Sequence, residues 1–183
     1  MVSPTSDALI KAAQAGDRAA FAQVLNDHYD TLYRFAYRWC GNRSDADDVT
    51  QQACIKLAQS IGQFRFDAAF STWLYRLVVN CAKDWQRSQG RHQHDDIDQL
   101  THEARPDQSA ETGIYLQQIL TWLDSLAEGF KETALLVHAE GLTHAEAASI
   151  LQIKESTVSW RLHEIRKQLQ HFQPRDGRWE ASL

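Results

Sequence analysis

The chain has 183 residues, 43% of them hydrophobic, with a formal net charge of -5 at pH 7. That length holds one or two small domains, and no apolar run approaches the ~20 residues that a membrane-spanning helix needs. The acidic balance argues against a protein that coats nucleic acid by itself, since sequence-independent phosphate binding needs a basic surface; it leaves room for local basic patches, or for binding after docking on a larger partner. The start, MVSPTSDALIKAAQ, carries no basic segment ahead of a long apolar one, so no secretion signal is expected. Cys40, Cys54 and Cys81 form no CxxC and fall on apolar faces of expected helices, as reduced core cysteines do.

Almost every segment reads as helix, because none sustains the alternation of a strand. The first helix is expected from about Ser6 to Ala15, ended by Gly16. Asp17 caps a second that runs to Cys40 and Gly41, with Phe21, Leu25, His28, Leu32, Phe35 and Trp39 as its buried stripe. Ser44, with Asp47 three positions on, suits the start of a third. Its inner face is Val49, Ala53, Leu57 and Ile61, and its outer face is Asp48, Gln51, Gln52, Lys56 and Gln59. Such a polar face is usually just solvated; periodicity does not decide whether a partner uses it.

Gly62 ends that helix, and Phe64, Phe66 and Phe70 crowd the loop beyond it. A helix then opens at Ser71 or Thr72, with Trp73 in its first turn and Leu74, Leu77, Val78 and Cys81 as its apolar stripe. Its other side shows Arg76, Asn80, Lys83 and Arg87. Aromatic rings beside cations and an amide can hold an unpaired base: rings stack, cations neutralise phosphate, and the amide reads an exposed edge. For any one of these rings alone, burial in the core is the simpler account.

From Ser88 to about Ala110 the chain is polar, with mixed charge and Pro106, and reads as a flexible linker. His92, His94 and His102 there lack cysteine partners and metal-site spacing. A second helical unit starts near Glu111, with Leu116, Ile119, Leu120, Leu123 and Leu126 as a stripe, followed by a helix from Phe130 to Glu140 and a stop at Gly141. Thr143 and Glu146 form a capping box, Ala147, Ala148, Ile150 and Leu151 pack inward, and Gln152 to Lys154 make a turn plugged by Ile153. The last helix, Ser156 to Gln170, buries Val158, Leu162, Ile165 and Leu169. It shows Thr157, Ser159, Trp160, Arg161, His163, Arg166 and Lys167 on its other faces. A short capped helix, a tight turn and a longer cation-bearing helix make a helix-turn-helix, whose last helix fits the major groove. The tail after Gln170 is broken by Pro174 and Gly177 and reads as loose, with Trp179 available to anchor it on the body or a partner. No phosphate-cradling glycine loop, nucleophile–base pair or metal set is legible, so neither enzyme chemistry nor a cofactor is expected.

The expected fold class is all-α: two small helical domains joined by a flexible linker, the second ending in the helix-turn-helix. In this order and spacing, DADDVTQQACIKL, FSTWLYRLVVNCAKDW and GLTHAEAASILQIKESTVSWRLHEIRKQL resemble the extracytoplasmic-function group of bacterial RNA polymerase sigma factors, over about Ala8 to Leu169. The resemblance implies residues 1–90 as a region 2-like domain, 91–110 as the linker, 111–170 as a region 4-like domain, and 171–183 as the tail.

It implies that Asp48, Gln51, Gln52 and Lys56 dock on the clamp helices of core RNA polymerase. Phe64, Phe66, Phe70, Ser71, Trp73, Arg76, Asn80, Lys83 and Arg87 would open and hold the minus-ten element, with Asn80 contacting a flipped base. Thr143, Ser156, Thr157, Ser159, Trp160, Arg161, His163, Arg166 and Lys167 would meet the minus-thirty-five element of promoter DNA. The linker would thread toward the polymerase's active-site and RNA-exit channels. A cytoplasmic protein is implied, monomeric when free or 1:1 with an anti-sigma factor, without membrane insertion. Base flipping costs a few kcal/mol of unstacking, which a bare loop does not supply, so dependence on a polymerase fits the acidic chain.

Three departures stand out. Ala127 occupies a place where the family commonly has proline, the segment after Arg87 is less basic than is common, and Ser159, Trp160, His163 and Glu164 stand at positions often basic or small. One alternative is a stand-alone regulator with a terminal helix-turn-helix, which needs an α/β receiver absent from this pattern. The other is a sigma-like module that occupies an anti-sigma factor without supporting transcription, which the arginine-poor last helix keeps open.

Overall fold

A computed structural model describes residues 6–92 and 110–170, with side chains described over 6–89 and 116–170. The tail at 171–183, most of the expected linker, and the side chains of His92, His94 and His102 lie outside them. The chain divides into two compact units, Met1–Leu100 and Thr101–Leu183. Every regular element among the described residues is helical.

In the first unit, α1 (Asp7–Gln14) starts at Ser6, whose hydroxyl accepts from the Leu9 N–H. Gly16 follows at φ 93° and turns the chain into α2 (Arg18–Cys40), where the Asp17 carboxylate accepts from the Ala19 and Ala20 N–H groups. Gly41 closes α2 in the left-handed conformation. The buried seam of α2 holds His28, Leu32, Phe35 and Trp39 as expected, but its first half is Ala20 and Val24; Phe21 and Leu25 are half-buried. α1 packs against this end of α2, and a small residue at position 20 permits close approach while the larger side chains flank the seam.

α3 (Arg43–Ser60) is capped two residues before the expected Ser44. Gly41 releases Asn42 directly into extended backbone, and Asn42 is the cap. Its side-chain oxygen accepts from the Asp45 N–H at 3.0 Å and its amide donates to the Asp45 carboxylate at 2.6 Å. The inner face is as read, with Val49, Ala53, Leu57 and Ile61 buried and Ala46 and Thr50 added. A 3-10 turn (Ile61–Gln63) ends it, and α4 (Phe70–His92) follows. α4 opens one residue before Ser71 and continues to His92, past the expected start of the linker at Ser88. Leu74, Leu77, Val78 and Cys81 are buried against α2 and α3. Cys40 and Cys81 are buried free thiols and Cys54 a half-buried one; burial pushes the Cys81 thiol up to about 11, which keeps it protonated and inert.

In the second unit, α5 (Ala110–Ser125) leads to α6 (Phe130–Ala134), which runs into a single π turn (Leu135–Ala139) where an uninterrupted α-helix was expected. The Glu140 N–H reaches back five residues to the Leu135 carbonyl. Lys131, on the buried face of α6, donates to both carboxylate oxygens of Asp124 on α5, at 2.7 and 2.9 Å. α7 (His144–Leu151) and α8 (Glu155–Leu169) complete the unit, joined through Gln152 at φ 56°. Ala147, Ala148, Ile150, Val158, Leu162 and Ile165 are buried as expected, whereas Leu151 and Ile153 are half-buried and Leu169 is exposed at the end of α8. No described helix is long and apolar enough to cross a membrane.

Candidate nucleic-acid interfaces

The loop between α3 and α4 is built round its own aromatic cluster. Phe64 meets Phe70 edge-on at 5.1 Å and Trp73 at 5.6 Å, Phe70 stacks on Trp73 at 5.6 Å, and His28 from α2 closes the far side of Phe70 at 5.3 Å. Phe64 and Phe70 are 7% and 8% exposed. This corrects the reading of three phenylalanines offered to a base: two are the foundation of the loop. Phe66 and Trp73 keep part of their surface open. Burial lowers the pKa of His28, so it sits in this cluster as a neutral ring.

Beside the cluster lies a cleft of about 380 Å³ between α3 and α4. Trp73 and Leu77 give it an apolar wall, and Gln59, Gln63, Arg76 and Asn80 ring it with donors and acceptors. Its size is within the ~300–1,000 Å³ of small-molecule sites. Trp73, Arg76 and Asn80 were legible as candidates. Gln63 and Ser60 were not, because a turn residue and the last residue of a helix carry no periodicity to mark them. Ser71 is exposed at the start of α4, and Lys83 is half-buried farther along it.

Lys56, expected among the docking residues, also lines the cleft and pairs with Asp84 of α4 at 2.8 Å. The hydrogen bond to that carboxylate raises the Lys56 pKa. Asp84 holds Arg87 as well, at 3.5 Å. Both pairs are more than 40% exposed, and such pairs are worth about 0–1 kcal/mol, so a phosphate can replace Asp84 at little cost. On the outer side of α3, Asp48, Gln51 and Gln52 are exposed together, with Ile55 43% exposed beside them. The neighbouring α2 carries a ladder of tyrosines, Tyr29, Tyr33 and Tyr37, stacked at 6.4 Å intervals, with Tyr29 and Tyr37 exposed. Steps of four in α2 predict that ladder, but its exposure depended on how α3 packs.

In the second unit the capping box forms as read. The Thr143 hydroxyl oxygen accepts from the Glu146 N–H at 3.2 Å, and the Glu146 carboxylate accepts from the Thr143 N–H at 2.8 Å and its hydroxyl at 2.7 Å. Thr143 N–H holds the Glu146 carboxyl below its ordinary pKa. Thr143 therefore spends its hydroxyl on the cap. At ~100° per residue, Ser156, Ser159, Trp160, His163 and Lys167 share one face of α8, with Arg166 at its border; all six are exposed. Ser159 Oγ lies 3.0 Å from His144 Nδ1, joining α7 to α8, and Trp160, 56% exposed, meets Phe130 edge-on at 5.6 Å.

Arg161 departs from expectation. It lies with half-buried Thr157 on the flank toward α6, where its guanidinium donates to the Gly129 carbonyl at 3.1 Å and to Thr133 Oγ1 at 3.3 Å. It ties α8 to the start of α6 and faces away from the exposed row.

Comparison with known proteins matches these units in the same order. Residues 24–92 match Sigma-70 region 2, and residues 116–169 match Sigma-70, region 4. The ECF RNA polymerase sigma factor SigM of Mycobacterium tuberculosis is 34% identical over 165 residues, covering 90% of this chain and 83% of that one. The ECF RNA polymerase sigma factor SigE of Mycolicibacterium smegmatis is 32% identical over 177 residues, covering 92% and 68%. Among solved structures, the complex of CnrH with the cytosolic domain of CnrY matches with a TM-score of 0.66 at 23% identity, over 90% of this chain and 94% of that one. The sigma factor RpoE of Bartonella quintana, solved with the anti-sigma factor NepR, matches with a TM-score of 0.63 at 24% identity, over 82% and 94%. At that identity the solved structures speak for the fold alone. The two matched regions and the relatives above 30% identity show that the chain belongs to the extracytoplasmic-function group of RNA polymerase sigma factors.

Proposed function

We infer that this chain binds core RNA polymerase, directs it to specific promoters, and helps open the DNA at the start of transcription, with no catalytic step of its own. The observation that carries the site-level reading is the α3–α4 cleft: an apolar wall of Trp73 and Leu77, ringed by Arg76, Asn80, Gln59 and Gln63, above a buried aromatic cluster. An unpaired base of the minus-ten element stacks on Trp73 and offers its edge to the Asn80 amide. Phosphates of the same strand displace Asp84 from Lys56 and Arg87, while Lys83 and Ser71 flank that path.

The exposed row of α8, Ser156, Ser159, Trp160, His163, Arg166 and Lys167, meets the minus-thirty-five element. Thr143, Thr157 and Arg161 set the orientation of that row. Asp48, Gln51 and Gln52 dock on polymerase, extended by Ile55 and the Tyr29 ladder. Residues 1–90 act as the region 2 domain, 91–110 as the linker, 111–170 as the region 4 domain and 171–183 as a tail. An anti-sigma factor binds the free protein 1:1, a reading that rests on membership of the family, and the site of action is the cytoplasm, where the polymerase works.

Run-off transcription with purified core polymerase tests this, on fragments chosen by mapping start sites after overexpression. A product that requires this protein supports the reading. Binding to an anti-sigma factor with no product on any fragment favours the module that only sequesters.

A further inference from the structure

Phe66 is one of two described residues other than glycine with positive φ, at 62°, a conformation that a bulky side chain keeps only where its surroundings over-determine it. Those surroundings are supplied from both sides. On the inner side, the Phe64 ring lies 4.7 Å from that of Phe66. On the outer side stands α1, distant in sequence. The Gln14 side-chain amide donates to the Ile61 carbonyl at 2.9 Å and to the Phe64 carbonyl at 2.8 Å, so one nitrogen holds both ends of the turn that launches the loop. The Ile61 carbonyl also accepts from the Phe64 N–H at 3.1 Å, closing the 3-10 turn, and Gln14 fills its second acceptor position. Three residues earlier on the same face, the Lys11 ammonium lies 5.2 Å from the centre of the Phe66 ring, in cation–π range.

We propose that Gln14 and Lys11 are positioning residues for promoter opening: α1 braces the loop from Ile61 to Phe70 in the one conformation that receives an unpaired base. Neither residue needs to touch DNA. Their contribution is preorganisation, because a loop already ordered does not lose that freedom when the base arrives. Gln63, which lines the cleft, lies between the two carbonyls that Gln14 grips, so releasing them disturbs the cleft wall directly. The proposal rests on the base-capture reading above, and its test separates the two.

Full-length protein carrying Gln14→Met, nearly the same shape without the donors, is assembled with core polymerase. It is assayed on one mapped promoter as duplex and as a template with a mismatched, pre-opened minus-ten bubble. The proposal expects unchanged affinity for core, about tenfold less product from duplex for two lost neutral hydrogen bonds, and a clearly smaller deficit on the bubble. Gln14→Lys, which keeps a donor, restores part of the duplex signal. Lys11→Met, on an exposed position of α1, shows the same pattern more weakly and carries the test should Gln14→Met fold poorly. A purely structural loss lowers core affinity and both templates alike, and that overturns the proposal, as does a duplex signal equal to the native one. If Asn80→Ala fails on duplex while the Gln14 and Lys11 variants do not, the brace falls and base capture stands. If the native protein opens no duplex, both fall.

Discussion

Replacing Gly129 by alanine tests how α8 is held. Gly129 precedes α6 at φ 95°, a left-handed conformation that disfavours any side chain by about 1–3 kcal/mol. An added Cβ would also collide with the Arg161 guanidinium, which lies over the glycine and has no room to stay there. The guanidinium would leave, losing its bonds to the Gly129 carbonyl and Thr133 Oγ1. Hydrogen bonds from a charged donor contribute ~1.5–3 kcal/mol each when buried; Arg161 is half-buried and water replaces part of them, so the pair is worth about 1–2 kcal/mol.

Gly129→Ala should therefore cost about 2–5 kcal/mol and Arg161→Ala about 1–2 kcal/mol. The double variant should cost less than their sum by about 1–2 kcal/mol, since clearing Arg161 removes the collision. Two separate units make a single global unfolding energy ill-defined, so hydrogen exchange of α6 and α8 amides is the suitable readout. Costs that add to within ~0.5 kcal/mol would refute the seating of Arg161 over Gly129, and with it the assignment of Arg161 as a strut.

Other outcomes follow from the same contacts. Asn80→Ala should lower promoter-specific initiation while leaving core affinity intact in a pull-down, because Asn80 lines the cleft; equal loss of core binding would reject that assignment. Gln52→Lys, which sets a cation beside Asp48 and Gln51, should weaken core binding, and unchanged affinity would move the docking face elsewhere. His28 has a folded pKa below its ordinary ~6.5, so its neutral form contributes stability that is present above that value and lost as pH falls through the folded one. Acid should thus loosen the Phe64–Phe70 cluster, followed by exchange of loop amides, and His28→Phe should flatten that pH dependence. Asn42→Ala should cost about 1 kcal/mol as a lost cap, with Ser44→Ala near neutral; the reverse ranking in hydrogen exchange of α2 and α3 amides would restore Ser44 as the cap of α3.

What the sequence made legible was whatever a local rule decides. Asp17, Gly41 and the Thr143–Glu146 box each settle a helix end through one or two side chains, and each stands where it was read. The inner face of α3 and the stripe of α4 followed from period alone. Misreadings begin where a third element chooses between local options. Asn42 and Ser44 both suit a cap, and the tight exit at Gly41 selects the earlier one. Ala20 and Val24 displace Phe21 and Leu25 because α1 lies against that side of α2. A cation on the last helix reads as a DNA contact until the carbonyl of Gly129 is seen beneath Arg161. In the same way, three phenylalanines in and beside a loop read as stacking surface, yet the nine residues between α3 and α4 need their own core before they can hold anything, and Phe64 and Phe70 provide it. The cleft was invisible for a related reason: Gln59, Ser60 and Gln63 meet Trp73 and Asn80 only once α3 and α4 have packed.

Potassium permanganate footprinting of the holoenzyme on a mapped promoter tests the central claim most directly. Native protein with core polymerase should make thymines in the minus-ten region reactive, and Asn80→Ala should reduce that signal with core still bound. Unreactive thymines on every fragment tried, with native protein bound to core, would contradict it.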